Sequence, residues 1–478
     1  MELMDYIAAA PEMTLLGLIC VVMIADLFVE DESRALTFWL TMVSLLITGV
    51  VLYATTPGST SRVVFYGAYV SDPFSQVLKL GAVGLVAVSF LYARDYLRAN
   101  NLNKGEYYLL GLFGLLGMMI MMSANTLLTM YLGLETLALS MYALVAIDRN
   151  NLSSAESAMK YFVLGAIASG ALLYGISWIY GVTGSLNFNE IALALAADPG
   201  LNNLPLWFGL AFLIVGIAFK FGAVPFHMWL PDVYQGARTP VTLYLATAPK
   251  LAALALLFRV LVHGLGELHD TWSSMIMVVA VLSIVLGNFA AIAQTNIKRM
   301  LGYSTIAHIG FILLAVYTGT PEGYASALFY TLTYVVAAAG AFGIVILLSR
   351  RGYDAELLSD FKGLNARSPW FALMMLFLMF SMAGVPPFVG FLSKLYVISA
   401  VLDIGGLWLA ILMVLASVVG AFYYLKVIWY MYFEEAEDQA VLQASTDTRL
   451  VLSLNSVAVL ALGILPGGLL AICIEVLG

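Results

Sequence analysis

The stretch GIAFKFGAVPFHMWLPDVYQGARTP, residues 216–240, places a lysine inside an apolar run and follows it with a proline. Lys220 belongs to a run that begins near Leu204, and Pro225 comes five residues after the lysine. Because proline lacks a backbone N–H and clashes with the preceding turn, we expect a helix here to break just after Lys220. At bilayer depth, unpaired backbone groups are tolerated only where protein or water satisfies them. The stretch therefore predicts a broken membrane helix beside an intramembrane charge.

The composition assigns the chain to a lipid bilayer. Of its 478 residues, 62% are hydrophobic and only 10% are charged, and the mean hydropathy is +0.96. Soluble globular domains are about a quarter charged. Since a spanning helix needs about 20 apolar residues, we predict about 14 spans. They are 12–30, 35–54, 73–93, 106–122, 125–147, 155–182, 204–233, 240–263, 272–293, 298–318, 324–349, 369–402, 406–433 and 448–476.

These spans are continuous apolar runs, which excludes a β-barrel because barrel strands alternate in polarity over about ten residues. The fold class predicted is an all-α polytopic membrane protein. The N-terminus carries Glu2, Asp5 and Glu12 before any basic residue. A secretory signal needs a positively charged segment there, so we expect the first helix to be retained.

Arginine and lysine are distributed unevenly between the predicted loops. One side of the membrane holds fourteen of them, counting one near a helix end, and the other side holds Arg62 and Arg259. Because cytoplasmic loops carry an excess of these residues, the first side is predicted to be cytoplasmic and both termini to face away from it. The fourteen are Arg34, Arg94, Arg98, Lys104, Arg149, Arg238, Lys298, Arg299, Arg350, Arg351, Lys362, Arg367, Lys426 and Arg449.

Several charged side chains lie inside predicted spans, where a charge at the helix centre costs roughly 2.5–3.5 kcal/mol on the gentler insertion scales. Lys79 and Lys160 lie nearer their helix starts, and we expect Lys79 to reach an interface or to form a structural ion pair. The others are too deep to reach the headgroups easily, so they indicate a buried hydrophilic path. These deep charges are Glu135, Lys220, Lys250 and Lys394.

A second proline break and a second pair of similar segments predict an internal repeat. SMAGVPPFVGFLSKLYV contains Pro386 and Pro387 before Lys394, as Pro225 stands beside Lys220. SAMKYFVLGAIASG from residue 157 resembles SALFYTLTYVVAAA from residue 326. The pairs align predicted helices 4–8 with helices 9–13. Since five is odd, the two repeats must insert with opposite topology, as in many transporters.

The chain carries no sequence pattern for a nucleotide or an iron–sulfur cluster. Cys20 and Cys473 have no CxxC spacing, which favours simple packing residues. Of the four histidines, His227 and His308 fall within spans. A lone buried histidine is more often a packing residue, but among intramembrane lysines a role as a proton relay competes with that interpretation.

Four motifs of the chain are YLGLETLALSMYAL, KFGAVPFHMWLPDVYQGA, QTNIKRMLGYSTIAHIGF and AGVPPFVGFLSKLYV. At these motifs the chain resembles the proton-translocating antiporter-like subunits of respiratory complex I, the bacterial NADH–quinone oxidoreductase. The similarity extends over essentially the whole chain. Lys394 stands where several sister subunits usually carry glutamate, and Arg238 stands where relatives often have proline.

The resemblance implies a proton path and a place in a larger enzyme. No cofactor is expected in this chain; NAD, FMN, iron–sulfur clusters and quinone are expected in partner subunits. The implied partners are the other membrane-arm subunits, including the sister antiporter-like subunits. The chain is also expected to contact the lipid bilayer, and no nucleic acid is expected as a partner. The implied location is the bacterial inner membrane. The path residues that match the family's motifs are Glu135, Lys160, Lys220, Lys250 and Lys394, and we add His308 to them.

We interpret the chain as four segments: helices 1–3 at 1–105, a first repeat at 106–265, a second repeat at 266–433, and a cytoplasmic loop with a last helix at 434–478. The hypothesis for the mechanism is that a Glu135–Lys160 pair controls the protonation of Lys220. The proton then passes by Lys250 and His308 to Lys394. Two alternatives stay open: a cation/proton antiporter subunit of a multisubunit Mrp-type system, and an inert membrane scaffold.

Overall fold

The computed structural model describes residues 3–29, 34–56, 61–201, 203–349, 352–436, 442 and 444–477. In that part of the chain, twelve helices are long and apolar enough to cross a membrane. The all-α polytopic fold is therefore confirmed. Glu30, at the end of the first predicted span, and Arg350 and Arg351, from the count of loop charges, lie outside the described residues.

The elements are α1 Leu3–Ala8, α2 Ala10–Asp26, α3 Ala35–Ala54, β1 Arg62–Val64, β2 Tyr69–Ser71, α4 Pro73–Ala99, α5 Gly105–Met122, α6 Leu127–Val145, α7 Leu152–Thr183, α8 Phe188–Ala197, α9 Leu204–Phe221, α10 Trp229–Gly236, α11 Thr239–Ala246, α12 Ala248–Leu257, α13 His269–Ile292, α14 Ile297–Tyr317, α15 Pro321–Leu348, α16 Leu364–Arg367, α17 Pro369–Ala383, α18 Val389–Asp403, α19 Leu407–Phe433, α20 Thr446–Ile464 and α21 Gly467–Leu477.

Two of the fourteen predicted spans fall short of a full-length helix. The first corresponds to α2, which has 17 residues. The segment predicted at 369–402 forms two helices, α17 and α18, on either side of Pro386 and Pro387. The other twelve predicted spans correspond to the twelve long helical spans.

Two predicted spans are interrupted where the sequence prediction expected continuous helices. The last span divides into α20 and α21 around Leu465 and Pro466, because proline disfavours the helical conformation of the residue before it. The span at 240–263 divides at Thr247, two residues before Pro249, and its last turns, Phe258–Gly264, widen into a π-helix. Pro249 cannot donate the backbone hydrogen bond that a continuous helix requires.

The described chain forms two compact units. The first comprises Met1–Ala87, Leu102–Lys220 and Ala248–Met275. In its interior α5 and α6 approach closely at Gly117 and Gly133. The second comprises Val88–Asn101, Phe221–Thr247 and Ile276–Gly478, and its interior is formed largely by α14 and α15.

Each unit contains an isolated antiparallel bridge that immediately precedes a helix. In the first unit Thr126 pairs with Asn187 before α6, and in the second Asn296 pairs with Leu357 before α14. Both residue numbers of the second bridge are larger by 170 (296 − 126 and 357 − 187). Thr126 and Asn296 also cap the two helices with their side chains. The two units therefore share a local arrangement at corresponding positions of the sequence.

A small hairpin contacts the Thr126–Asn187 bridge of the first unit. Strands β1 and β2 pair with Val63 opposite Val70. The side-chain amides of Asn125 and Asn187 donate hydrogen bonds to the Gly67 carbonyl, at 2.8 and 2.9 Å. The hairpin turn thus holds the segments before α6 and α8 together.

We predict that Gly117→Ala destabilises the protein by about 1–3 kcal/mol, the usual cost of overpacking. A Cβ atom at Gly117 would lie 2.6 Å from the Leu137 amide nitrogen and 2.7 Å from the Gly133 carbonyl oxygen. Gly170→Ala on α7 is the matched control, because no atom lies within 4 Å of its Cβ position. Thermal denaturation of the two variants measures the difference. Equal midpoints would contradict the close approach of α5 and α6.

Candidate functional site

Both predicted proline breaks are confirmed. Helix α9 ends at Phe221, and Gly222 follows with a φ of 81°. Helix α17 ends at Ala383, and Gly384 follows with a φ of 87°. Glycine suits both positions because other residues rarely adopt this left-handed conformation. Each break leaves the last carbonyl groups of a membrane helix without partners inside the helix.

In the first unit, Lys220 lies one residue before the end of α9 and is half-buried. Glu135 on α6 lies close enough for its charge to attract the Lys220 ammonium. The Glu135 carboxylate also accepts a hydrogen bond from the Ser169 hydroxyl. Tyr131 shares that hydroxyl at 2.9 Å. The structure therefore brings two of the predicted site residues, Glu135 and Lys220, together.

Lys250 is 3% exposed in the first turn of α12, directly after the interruption at Thr247. Lys220 lies close enough for its charge to act on Lys250. The sequence prediction identified this lysine but missed the interruption beside it. The signal was present, because Pro249 immediately precedes Lys250.

Lys160 has a different environment. Its ammonium lies 2.8 Å from the Glu156 carboxylate, one turn earlier on α7, and its side chain is 43% exposed. The hypothesis paired Lys160 with Glu135. The structure shows Lys160 beside Glu156 on the outer face of the first unit, and Glu135 beside Ser169 and near Lys220, so the Glu135–Lys160 pair stays a prediction.

Lys79 forms a structural ion pair, one of the two roles expected for it. Its ammonium lies 2.6 Å from the Glu12 carboxylate, and both side chains are buried. The Tyr69 hydroxyl donates a hydrogen bond to Glu12 at 2.8 Å and accepts one from Lys79 at 2.9 Å. The triad joins α2, β2 and α4.

In the second unit, Lys394 lies in α18, after the break that follows α17. Its ammonium donates a hydrogen bond to the Ala383 carbonyl at 2.9 Å, and it lies over the ring of Phe311. A Cβ atom at Gly384 would lie 3.0 Å from the Lys394 Cδ atom. The lysine therefore occupies the space that the break opens, and it satisfies the last carbonyl of α17.

His308 lies on α14 with both ring nitrogens in hydrogen bonds. Nδ1 is 2.7 Å from the Tyr330 hydroxyl, and Nε2 is 2.9 Å from the Tyr424 hydroxyl. Lys394 lies close enough for its charge to act on the ring. The sequence prediction missed both tyrosines, because no local pattern distinguishes them from the other tyrosines of the chain.

His227 lies in the segment between α9 and α10 and is half-buried. Its carbonyl accepts a hydrogen bond from the Leu230 amide at 2.9 Å. It thus belongs to the turn that follows the first break.

Three ion pairs join the loops and helix starts of the second unit. Arg299 at the start of α14 contacts Asp232 on α10 at 2.6 Å. Lys298 contacts Glu356 at 2.5 Å and donates a hydrogen bond to the Ala237 carbonyl. The third pair joins Arg238 and Asp354. Arg238, the departure from the family's pattern, therefore anchors the chain before α11.

A buried ion pair anchors the end of the segment that carries Lys250. The Arg259 guanidinium lies 2.7 Å from the Asp72 carboxylate and donates hydrogen bonds to the Met122 carbonyl. Burial alone would raise the pKa of Asp72. The charge and hydrogen bonds of Arg259, with hydrogen bonds from Ser75, outweigh burial and lower the pKa from 3.8 to about 2.

The family model described as "NADH:quinone oxidoreductase/Mrp antiporter, TM" matches residues 124–420. The chain is 54% identical to "NADH-quinone oxidoreductase subunit N" of Thioalkalivibrio sulfidiphilus, over 98% of each chain. It is 55% identical to the protein of the same name from Alkalilimnicola ehrlichii, over 99% of this chain and 97% of that one.

A solved structure is similar along nearly the whole chain. It is a chain of "Respiratory complex I from Thermus thermophilus with bound Aureothin". The TM-score is 0.82 and the sequence identity 32%, and the match covers 96% of this chain and 98% of that one.

We predict that Asp72→Asn destabilises the protein by roughly 2 kcal/mol at neutral pH, because a tenfold change in a protonation equilibrium is about 1.4 kcal/mol. A carboxyl group with a lowered folded-state pKa stabilises the fold above its unfolded pKa. That stability is lost as the pH falls from 3.8 towards 2. Thermal denaturation of parent and variant should therefore differ most above pH 4 and converge below it.

Asp270→Asn is the matched control, because the Asp270 side chain is fully exposed. A difference between parent and Asp72→Asn that persists unchanged at the lowest pH would contradict the role of the charge.

Proposed function

The chain belongs to the subunit N family of NADH-quinone oxidoreductase, and we propose that it moves protons across the membrane as an antiporter-like subunit of that enzyme's membrane arm. Quinone reduction elsewhere in the complex drives the movement. The observation that carries the proposal is the placement of three lysines beside helix interruptions: Lys220 before Gly222, Lys250 after Thr247, and Lys394 after Gly384.

The placement suits proton transfer because an interrupted membrane helix supplies backbone acceptors at bilayer depth. Transporters use discontinuous helices in this way to build ion sites near the bilayer midplane. At such a site the free carbonyls stabilise the charged form of a lysine, and the apolar surroundings favour its neutral form. Its proton can therefore leave and return at moderate cost.

The contacts of Glu135 define its role in the proposal. A carboxylate near an ammonium favours the charged form of the lysine. When Glu135 carries its charge, Lys220 holds its proton; when Glu135 moves away or is protonated, Lys220 releases it. Lys250 is the acceptor in the same unit, since Lys220 lies close enough to act on it. Lys160 remains in the proposed path on the family resemblance.

His308 and Lys394 carry the proton in the second unit, where Lys394 lies close enough to act on the histidine ring. The direction follows from the distribution of loop charges. With the arginine-rich side cytoplasmic, α18 runs from the cytoplasm outwards, so Lys394 holds the proton before its release.

Two inverted five-helix repeats, at 106–265 and 266–433, complete the proposal. The paired bridges before α6 and α14, with residue numbers that differ by 170, support it. So do the two helix caps at Asn151 and Thr320, which begin α7 and α15. On the proposed orientation in the bacterial inner membrane, both termini are periplasmic.

Energy for the movement comes from partner subunits. Moving one charge against the membrane potential costs about 2.3 kcal/mol per 100 mV. In the proposal, NAD, FMN, iron–sulfur clusters and quinone are bound by the partners, and this chain binds none of them. The alternative, a cation/proton antiporter subunit of an Mrp-type system, draws the energy from another ion's gradient. Purification in mild detergent separates the two, since the proposal expects the chain to travel with NADH dehydrogenase subunits.

We predict that Lys220→Ala in the assembled complex lowers the rate of proton pumping and coupled quinone reduction at least tenfold. The variant removes the proton-carrying group, while small helix-forming alanine preserves α9. Pumping is measured in proteoliposomes that contain the whole complex. Lys104→Ala is the control, because Lys104 is an exposed residue before α5. Wild-type pumping by Lys220→Ala would overturn the proposal.

A further inference from the structure

His308 is held between two helices by hydroxyl groups. Tyr330 on α15 bonds to Nδ1, and Tyr424 on α19 bonds to Nε2. The Tyr424 hydroxyl continues to the Ser304 hydroxyl at 2.5 Å. Three hydroxyls and one imidazole therefore form an unbroken row in the order Ser304, Tyr424, His308 and Tyr330. We call this row the His308 array.

The array has two arrangements of its protons. A neutral imidazole has one nitrogen that donates and one that accepts, while each hydroxyl both donates and accepts. In the first arrangement every donor points from Ser304 towards Tyr330. In the second every donor points the other way. Both satisfy each member with the same neighbours, so neither requires the side chains to move.

A cavity adjoins one end of the array. Its volume is about 20 Å³, and a single water needs roughly 10–15 Å³ and two to four polar partners. His308 and Tyr330 line it on one side. Ser381 and Ser393 line it from the helices on either side of the second break. The volume admits one water molecule, and the His308 and Tyr330 side chains of the array are among its lining.

The cavity also adjoins the segment of α18 that carries Lys394. The hydroxyl of Ser393, the residue before Lys394, shares a hydrogen bond of 2.8 Å with the Thr333 hydroxyl. Both residues line the cavity. A water that bonds to Tyr330 would therefore lie between the array and the segment that carries Lys394.

We propose that the His308 array is a proton wire whose exit is one water bound in this cavity. A proton enters at the Ser304–Tyr424 end. Each hydroxyl or imidazole then accepts a proton from one neighbour and releases its own to the next, until the Tyr330 hydroxyl protonates the water. Every step breaks one O–H or N–H bond and forms another, with no change of oxidation state. The passage reverses the direction of all donors, so every donor must return to its original direction before the next proton can pass.

The inference rests on the proposed function and adds Tyr330, Tyr424 and Ser304 to it. In the alternative, purely structural role, the tyrosines only orient the histidine ring. The two roles differ in what a missing hydroxyl does. A wire stops where one hydroxyl is lost, whereas an oriented ring with one remaining hydrogen bond keeps most of its function.

Tyr424→Phe and Tyr330→Phe test the wire in the whole complex, since each removes one hydroxyl and keeps the ring. We expect each to lower proton pumping at least tenfold without changing assembly. Tyr432→Phe is the matched control: it lies on α19, two turns beyond Tyr424, and is half-buried. We expect it to change pumping less than twofold. Should Tyr424→Phe fail to assemble, Ser304→Ala removes the end of the array instead and is expected to lower pumping to the same extent.

The outcomes separate this inference from the proposed function. If both phenylalanine variants pump at the parent rate while Lys220→Ala does not, the wire is wrong and the proposed function stands. If Lys220→Ala also pumps normally, the proposed function itself fails. The solvent deuterium isotope effect on pumping gives a second readout: we expect it to be larger in Ser304→Ala than in Tyr432→Phe, and equal values would overturn the wire.

The water has its own test. A high-resolution map of the complex should show one ordered water within hydrogen-bond distance of the Tyr330 hydroxyl. A cavity that is dry, or filled by side chains, would overturn the exit step.

Discussion

The structure depends on one constraint, that polar groups inside the membrane must be paired, and the hydrogen bond from the Lys394 ammonium to the Ala383 carbonyl meets it. In a bilayer, a charge and an unpaired backbone group are each costly, and water is absent to satisfy either. Pro386 and Pro387 end α17 and leave carbonyl groups free. Lys394, one helix segment later, places a donor within 2.9 Å of the last of them. The break and the lysine thus compensate each other, and together they form a polar position at membrane depth.

The same constraint explains the rest of the polar interior. Glu135 is paired with Ser169 and lies near Lys220, and the side chains of Glu12, Lys79 and Tyr69 satisfy one another. Structural and proposed transport groups differ in how completely they are paired. In the triad around Lys79 each side chain bonds to the other two, which favours a fixed charge. Polar groups that face a cavity or a helix interruption are the ones we assign to proton movement.

The breaks could be predicted because proline acts locally, and the residues from Lys220 to Pro225 contain all the information required. The interruptions at Thr247 and Leu465 have the same cause, and attention to Pro249 and Pro466 would have identified them. The exposure of Lys160 could not be predicted, since α7 is apolar on all sides and its pattern does not show which face is covered. The tyrosines around His308 come from helices distant in sequence, and such contacts leave no periodic signal.

The central claim is that Lys394 carries a proton and is more than a fixed charge that holds a broken helix. Proton pumping by the assembled complex with Lys394→Arg measures this most directly. Arginine keeps the positive charge and the hydrogen-bond donors, but it stays protonated in proteins. We expect nearly normal assembly and at least a tenfold loss of proton pumping and coupled quinone reduction, with partial function in Lys394→Glu because glutamate can still exchange a proton. Pumping by Lys394→Arg at the parent rate would show that the residue is a fixed electrostatic element and would contradict the account.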